Sequence, residues 1–174
     1  RDYHIDADMV LVTHEHFDHN YRDAVTLSGR ECPVKIEVID AFHDDCEGKL
    51  LGPMKIIIID DGTFRAGHFG DVGHLLSEEQ LKAVGRLDAA MVNVGGFTQS
   101  NAVFADKLIR QFNPTWVFPG HFKADSFGFE GSGTLDEFLD ISQNGVNVPG
   151  SSMELTKEEG THTVVFKRPE SIKK

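Results

Sequence analysis

The segment His14-Glu15-His16-Phe17-Asp18-His19 sets three imidazoles and two carboxylates side by side. Polar groups at that density are unfavourable to gather unless something pairs with them, and a divalent cation does so. His14 and His16 are two residues apart. On an extended or tight-loop backbone their rings point the same way and can chelate one ion. Asp18 and His19 follow one turn later and can face a second ion. Imidazole with carboxylate suits zinc, iron, manganese or nickel, and the lack of cysteine donors argues against a closed structural zinc site. More His and Asp donors than one ion needs read as two metals sharing a bridging carboxylate.

Those side chains need elements to hold them. Met9 to Val12 is a short apolar run ending in polar residues, the pattern of a buried strand. Residues 34 to 41 alternate, and Met54 to Ile59 is β-branched; both read as strands. Asp60-Asp61-Gly62 signals a tight turn, with Thr63 to Gly67 returning as the hairpin partner. Ser77-Glu78-Glu79-Gln80 is a capping box opening a helix that fades by Gly85. Ala89 to Val94 reads as a strand stopped by Gly95-Gly96. A helix carrying Val103, Phe104, Leu108 and Ile109 must end before Pro114. Trp116 to Phe118 forms a strand, Thr134 caps a last short helix, and residues 161 to 167 close with a strand. Mixed strands and helices place the chain in the α/β (α+β) class.

One regularity links elements to chemistry. The strands ending at Val12, Phe42, Gly67 and Phe118 run directly into His14, His43, His68 with Asp71, and His121. Ligands gather beyond strand ends in layered sheets, so these side chains are expected at one shared site.

The set of motifs resembles the metallo-β-lactamase superfamily. His14-Glu15-His16-Phe17-Asp18-His19 matches its HxHxDH signature. Phe42-His43-Asp44-Asp45, Gly67-His68-Phe69-Gly70-Asp71-Val72-Gly73-His74, Val94-Gly95-Gly96-Phe97 and Phe118-Pro119-Gly120-His121-Phe122 follow in the order of the branch that includes the ascorbate-6-phosphate lactonases. The resemblance spans about residues 5 to 156. It implies an αββα sandwich formed as one domain over residues 1–174 and two divalent ions, zinc first, with manganese, iron or nickel as alternatives. It implies that His14, His16 and His43 hold one ion, that Asp18, His19 and His121 hold the other, and that Asp71 bridges them. Two dications would bring a shared water from a pKa of about 15.7 toward neutrality, supplying hydroxide for attack on a small ester, lactone or phosphoester. Asp18 would orient that water or accept its proton. His74, three residues past Asp71, is read either as a proton donor to the leaving group or as a histidine that supports the site from behind. His68 is read as packing or supporting rather than ligating.

Members of this family normally carry a β-hairpin unit ahead of the HxHxDH strand, where this chain has only Arg1 to Val12. The sandwich is therefore expected to be truncated at its N-terminal side and to expose a sheet edge, through which copies of the chain could associate. That feature favours the alternative reading, a non-catalytic metal-binding or interaction module on the same fold.

Bulk properties narrow the partners. A chain of 174 residues with a formal net charge of −11 has scattered Lys and Arg, and its only basic run is Lys173-Lys174, so a nucleic-acid surface is not expected. The longest purely apolar run, Ile56 to Ile59, is far short of a membrane span. No leader pattern precedes the first motif. Cys32 and Cys46 are too few for a disulfide framework. A cytoplasmic protein with a small-molecule substrate is the expectation. Lys123 is the one basic residue near the expected site, and Phe122, Phe127 and Phe129 could line its entrance. Gly95-Gly96 reads as a turn rather than a substrate-approach point.

Overall fold

In the computed structural model, which describes residues 4–96, 100–125 and 127–167, the β-branched run becomes strand β4 (Pro53–Asp60). It pairs along its whole length, antiparallel, with β3 (Lys35–Phe42), from Lys35 opposite Asp60 to Phe42 opposite Pro53. The turn after β4 forms as its sequence dictates. Asp61 accepts from the backbone N–H groups of Thr63 and Phe64 at 2.8 and 2.7 Å, and Gly62 takes the φ of 87° that a side chain would resist. The chain returns antiparallel as β5 (Arg65–His68).

From β5 onward the pairing turns parallel, through β6 (Ala89–Asn93), β7 (Trp116–Gly120) and β9 (His162–Phe166), with β8 (Gly145–Val148) at the far edge. The seven-stranded sheet thus has the order β3-β4-β5-β6-β7-β9-β8. Three helices serve as connections: α1 (Glu78–Val84), α2 (Ala102–Phe112) and α3 (Leu135–Ser142). Ser77 and Thr134 each close a full capping box, and Asn113 ends α2 in the left-handed conformation just before Pro114.

Alternation along the strands splits the apolar side chains between two faces. Met54, Ile56, Ile58, Ala90, Val92 and Val117 join the helices in the larger core, where Leu108, Ile109 and Phe138 meet them. On α2 the buried stripe is Ala102, Ala105, Leu108 and Ile109, while Val103 faces solvent. The opposite face holds a smaller cluster around Ala89, Trp116 and Val164. All three helices thus contribute to one face, and the class is α/β as expected.

The N-terminal region differs from expectation. Met9 to Val12 runs extended with alternating exposure but forms no strand. Just past it, the Thr13 carbonyl accepts one ladder-like bond from Lys55 N–H at 2.7 Å. Short strands β1 (Ile5–Ala7) and β2 (Val25–Leu27) instead pair with each other in parallel, the latter entered by a 3-10 turn at Arg22–Ala24. This two-stranded ribbon is the second sheet among the described residues. No described helix is long and apolar enough to cross a membrane.

Candidate metal centre

His43, Asp71 and His121 sit just beyond the strands expected to deliver them, whereas the HxHxDH segment follows a stretch that forms no strand. Residues 14–19 form a loop closed by His19 N–H donating to the His16 carbonyl at 3.0 Å. Glu15 leaves the cluster: its carboxylate accepts from Arg22 and Asn20 at 3.0 and 3.1 Å, tying the loop to the 3-10 turn and holding its pKa down at about 2. His43 follows β3, Asp71 follows β5 through a turn at Gly70 (φ 50°), and His121 follows β7 with a φ of 57°. A histidine in the left-handed region is uncommon and costs energy, so surrounding packing must impose it.

That packing involves glycine. A Cβ on Gly95 would lie 2.4 Å from the His121 carbonyl oxygen, and one on Gly73 would lie 2.3 Å from that of His43. Backbone therefore lies against backbone at both histidine loops. Gly95, read above as a turn residue, is needed here for close approach.

Asp71 is the centre of the arrangement. Its Oδ2 faces the Nε2 atoms of His19, His43, His14 and His121 at 3.3, 3.4, 3.7 and 3.9 Å. Its Oδ1 accepts from Asn93 Nδ2 at 2.9 Å, and Asn93 Oδ1 in turn accepts from Gly95 N–H at 3.0 Å. Two overlapping donor sets result, His14-His16-His43 and His14-His19-Asp71, each with its atoms within 4.8 Å of one another. Asp18 joins through His19, with Oδ2 at 3.5 Å from Nε2. The His19 and His121 rings stack with centroids 6.1 Å apart.

Burial and charge pull against each other at these groups. Burial alone would raise the Asp71 carboxyl, but His43, His121 and His19 outweigh it and hold the carboxyl well below the ordinary range. Burial, reinforced by His19, lowers His14 to about 4 despite Asp71. His43 moves up, because Asp71 outweighs its burial.

These residues fit divalent cations. The buried Nε2 of His14 and Nδ1 of His43 have no hydrogen-bond partner. Thr13 Oγ1 lies 3.0 Å from His14 Nδ1, which leaves Nε2 as the nitrogen facing the cluster. A neutral imidazole with a free buried nitrogen is what a metal requires and what an apolar core would not retain.

His74 is not brought to the cluster. Its Nε2 accepts from the Phe42 N–H at 3.1 Å and its Nδ1 donates to the Leu75 carbonyl at 2.9 Å, so both ring nitrogens are committed to backbone. It lines a separate cavity with Val38, Asp40 and Gln80. His68 is half-buried with its Nδ1 accepting from Gly70 N–H at 3.0 Å, and burial lowers its pKa. Lys123 does not line the cavity over the donors, and Phe97 and the Lys173-Lys174 run lie outside the described residues.

Sequence reasoning missed Asn93 and Thr13, and beside His43 it reads Asp44 equally as a support for that imidazole or as a solvated loop acid. Asp44 is fully buried. Its Oδ1 accepts from the N–H groups of Cys46 and Gly48 at 3.0 and 2.7 Å and from the Cys46 thiol, and its Oδ2 accepts from Leu50 and Leu51 N–H at 3.0 and 2.8 Å. Burial opposes its charge, yet these donors hold the carboxyl well below its ordinary range and shape the whole loop after His43. The only signal for Asn93 was its place at a strand end.

All the donors but His14 line a cavity of about 650 Å³ whose other walls include Phe17, Leu51 and Phe129. Residues 1–121 match the profile of the β-lactamase superfamily domain. The fold is similar to the crystal structure of a candidate Zn-dependent hydrolase of the metallo-β-lactamase superfamily from Thermotoga maritima. The TM-score is 0.73 at 23% identity, covering 94% of this chain and 83% of that one. A weaker likeness, TM-score 0.47 at 10% identity over 81% of this chain and 50% of the other, is to the metallo-β-lactamase fold protein YhfI from Bacillus subtilis. No curated protein matches the sequence.

Proposed function

The chain belongs to the β-lactamase superfamily, and from that premise we propose that it is a dinuclear metal-dependent hydrolase acting on a small ester, lactone or phosphoester. The observation that carries this reading is one oxygen of Asp71 facing four imidazoles, with Asp71 itself in one of two donor sets that share His14. In this reading His14, His16 and His43 hold one ion. Asp18, His19 and His121 hold the second, and Asp71 lies between. Zinc suits these donors first, with manganese, iron and nickel as alternatives.

Two divalent ions in place supply Lewis acidity and bring water from a pKa of about 15.7 toward neutrality. The chain's own residues do the remaining work. Asn93 holds Oδ1 of Asp71 and so aims Oδ2 at the imidazoles. The half-exposed carboxylate of Asp18 accepts the proton given up as the water oxygen bonds to the carbonyl or phosphoryl centre. As the bond to the leaving oxygen breaks, that oxygen takes up the proton held by Asp18, so water is the one co-reactant.

Elemental analysis of purified protein should find about two divalent ions per chain. His16→Ala should retain the fold by circular dichroism and lose hydrolysis by at least about 100-fold. Full activity in metal-free protein sinks the proposal. Two bound ions with no hydrolysis across a broad ester, lactone and phosphodiester panel favour a metal-binding module instead.

A further inference from the structure

We infer that the cavity over the metal donors is built for an uncharged carboxylic ester or lactone bearing an apolar acyl or aryl arm, gripped by Phe17, Leu51 and Phe129. This rests on the hydrolase reading above and narrows it by excluding substrates with a second charged group.

The walls carry the argument. Apart from the proposed metal donors, the described polar side chains lining the cavity are Glu15, Asn93 and Ser100, and all three are engaged with protein partners. Glu15 is held by Arg22 and Asn20. Asn93 spends its amide on Asp71 and Gly95. Ser100 Oγ donates to the Val72 carbonyl at 3.1 Å. No Lys or Arg is among the described lining residues. A phosphate or carboxylate remote from the reacting bond would meet no cationic side chain among the described lining residues, and would face the carboxylates of Glu15 and Asp18.

The surface that remains is apolar. Phe17, Phe129 and Leu51 expose 84%, 49% and 42% of their areas at one cavity. Large apolar side chains exposed together beside a polar cluster mark a ligand-binding wall. Phe129 also sits with its ring centroid 5.9 Å from that of His121, so an arm packed on Phe129 lies directly beside the reacting end.

The test uses the zinc-loaded full chain and p-nitrophenyl esters from acetate to octanoate, with the half-ester of adipic acid and p-nitrophenyl phosphate as charged counterparts. The expected result is a kcat/KM that rises about two- to fourfold per methylene as the arm is buried. The adipate half-ester should be at least tenfold poorer than the hexanoate of the same length. In Phe129→Ala, a half-exposed position whose truncation should leave the melting curve in place, the rise with chain length should flatten; Phe17→Ala should flatten it independently. Hydrolysis with no length dependence, or faster on the charged partners, overturns the inference and leaves the hydrolase reading standing. If nothing is hydrolysed, calorimetry with neutral N-phenyl alkanamides separates the two ideas. Affinity that grows with chain length and is lost in Phe129→Ala supports the apolar wall, and no binding overturns it; the hydrolase reading itself stands or falls on the broader panel above.

Discussion

The two halves of the donor cluster are built differently. Around His14, His16 and His43 almost every group is braced from behind. Thr13 meets His14 Nδ1, Gly73 packs on the His43 carbonyl, and buried Asp44 gathers the N–H groups of the following loop. Around Asp18, His19 and His121 the side chains are more exposed, Phe17 and Phe129 join them at the cavity wall, and His121 sits at a positive φ with Gly95 packed on its carbonyl. The braced half is suited to hold an ion in fixed geometry, and the open half to admit a substrate. Asp71 belongs to both, which makes it the group through which the halves communicate.

The largest effect should come from removing that shared group. Asp71→Ala should reduce bound metal from about two equivalents toward zero and lower hydrolysis by more than about 100-fold, beyond what loss of a supporting residue costs. Retention of both ions in this variant would break the picture of a common bridge. Next come the two close-packed glycines. Gly73→Ala and Gly95→Ala each force a methyl into backbone at 2.3–2.4 Å. Each should cost about 1–3 kcal/mol, a fall of roughly 3–10 °C in Tm. Metal titration sharpens the contrast, because Gly73→Ala should weaken the first equivalent and Gly95→Ala the second.

Asp44→Asn should weaken the first ion by about 10–100-fold while leaving the second in place. It also has a pH signature. The Asp44 carboxyl is held below its ordinary value in the folded protein, so its contribution is present above the unfolded pKa of about 3.9 and fades as pH falls below it. Acid unfolding of the wild type should therefore show a steeper loss in that range than the Asn variant. Smallest is Glu15→Gln. Its pairing with Arg22 is exposed on the surface, so the Tm should stay within the error of a thermal melt. A marked drop in metal affinity would instead show that this pair sets the geometry of the 14–19 loop.

What was legible in the sequence follows from which interactions are local. Capping boxes at Ser77 and Thr134, the Asp61-Gly62 turn and the stop before Pro114 are short-range devices, and each formed where its residues lie. The strand-end rule brought His43, Asp71 and His121 to the HxHxDH loop because β3 and β5 flank the antiparallel β4, and β5 to β7 pair in parallel, so all three strands point the same way. The failures involve partners distant in sequence. Met9 to Val12 has strand composition, but a strand needs a neighbour, and the one backbone bond to β4 comes only after it, at Thr13. His74 has the right spacing from Asp71, yet Phe42 N–H and the Leu75 carbonyl take its two nitrogens. Asn93 supports the bridge across 22 residues of chain, with no local pattern to announce it.

The single bond between Thr13 and Lys55 carries a mechanical meaning. Among the described residues it is the one backbone–backbone hydrogen bond joining residues 4–31 to the rest of the chain, since β1 and β2 pair only with each other. The imidazoles of His14 and His19, drawn to Asp71, add the polar side-chain link. The donor cluster is thus also a rivet: stripping it of cations should loosen the leading segment first, and hydrogen exchange in residues 4–31 should quicken before the seven-stranded sheet responds.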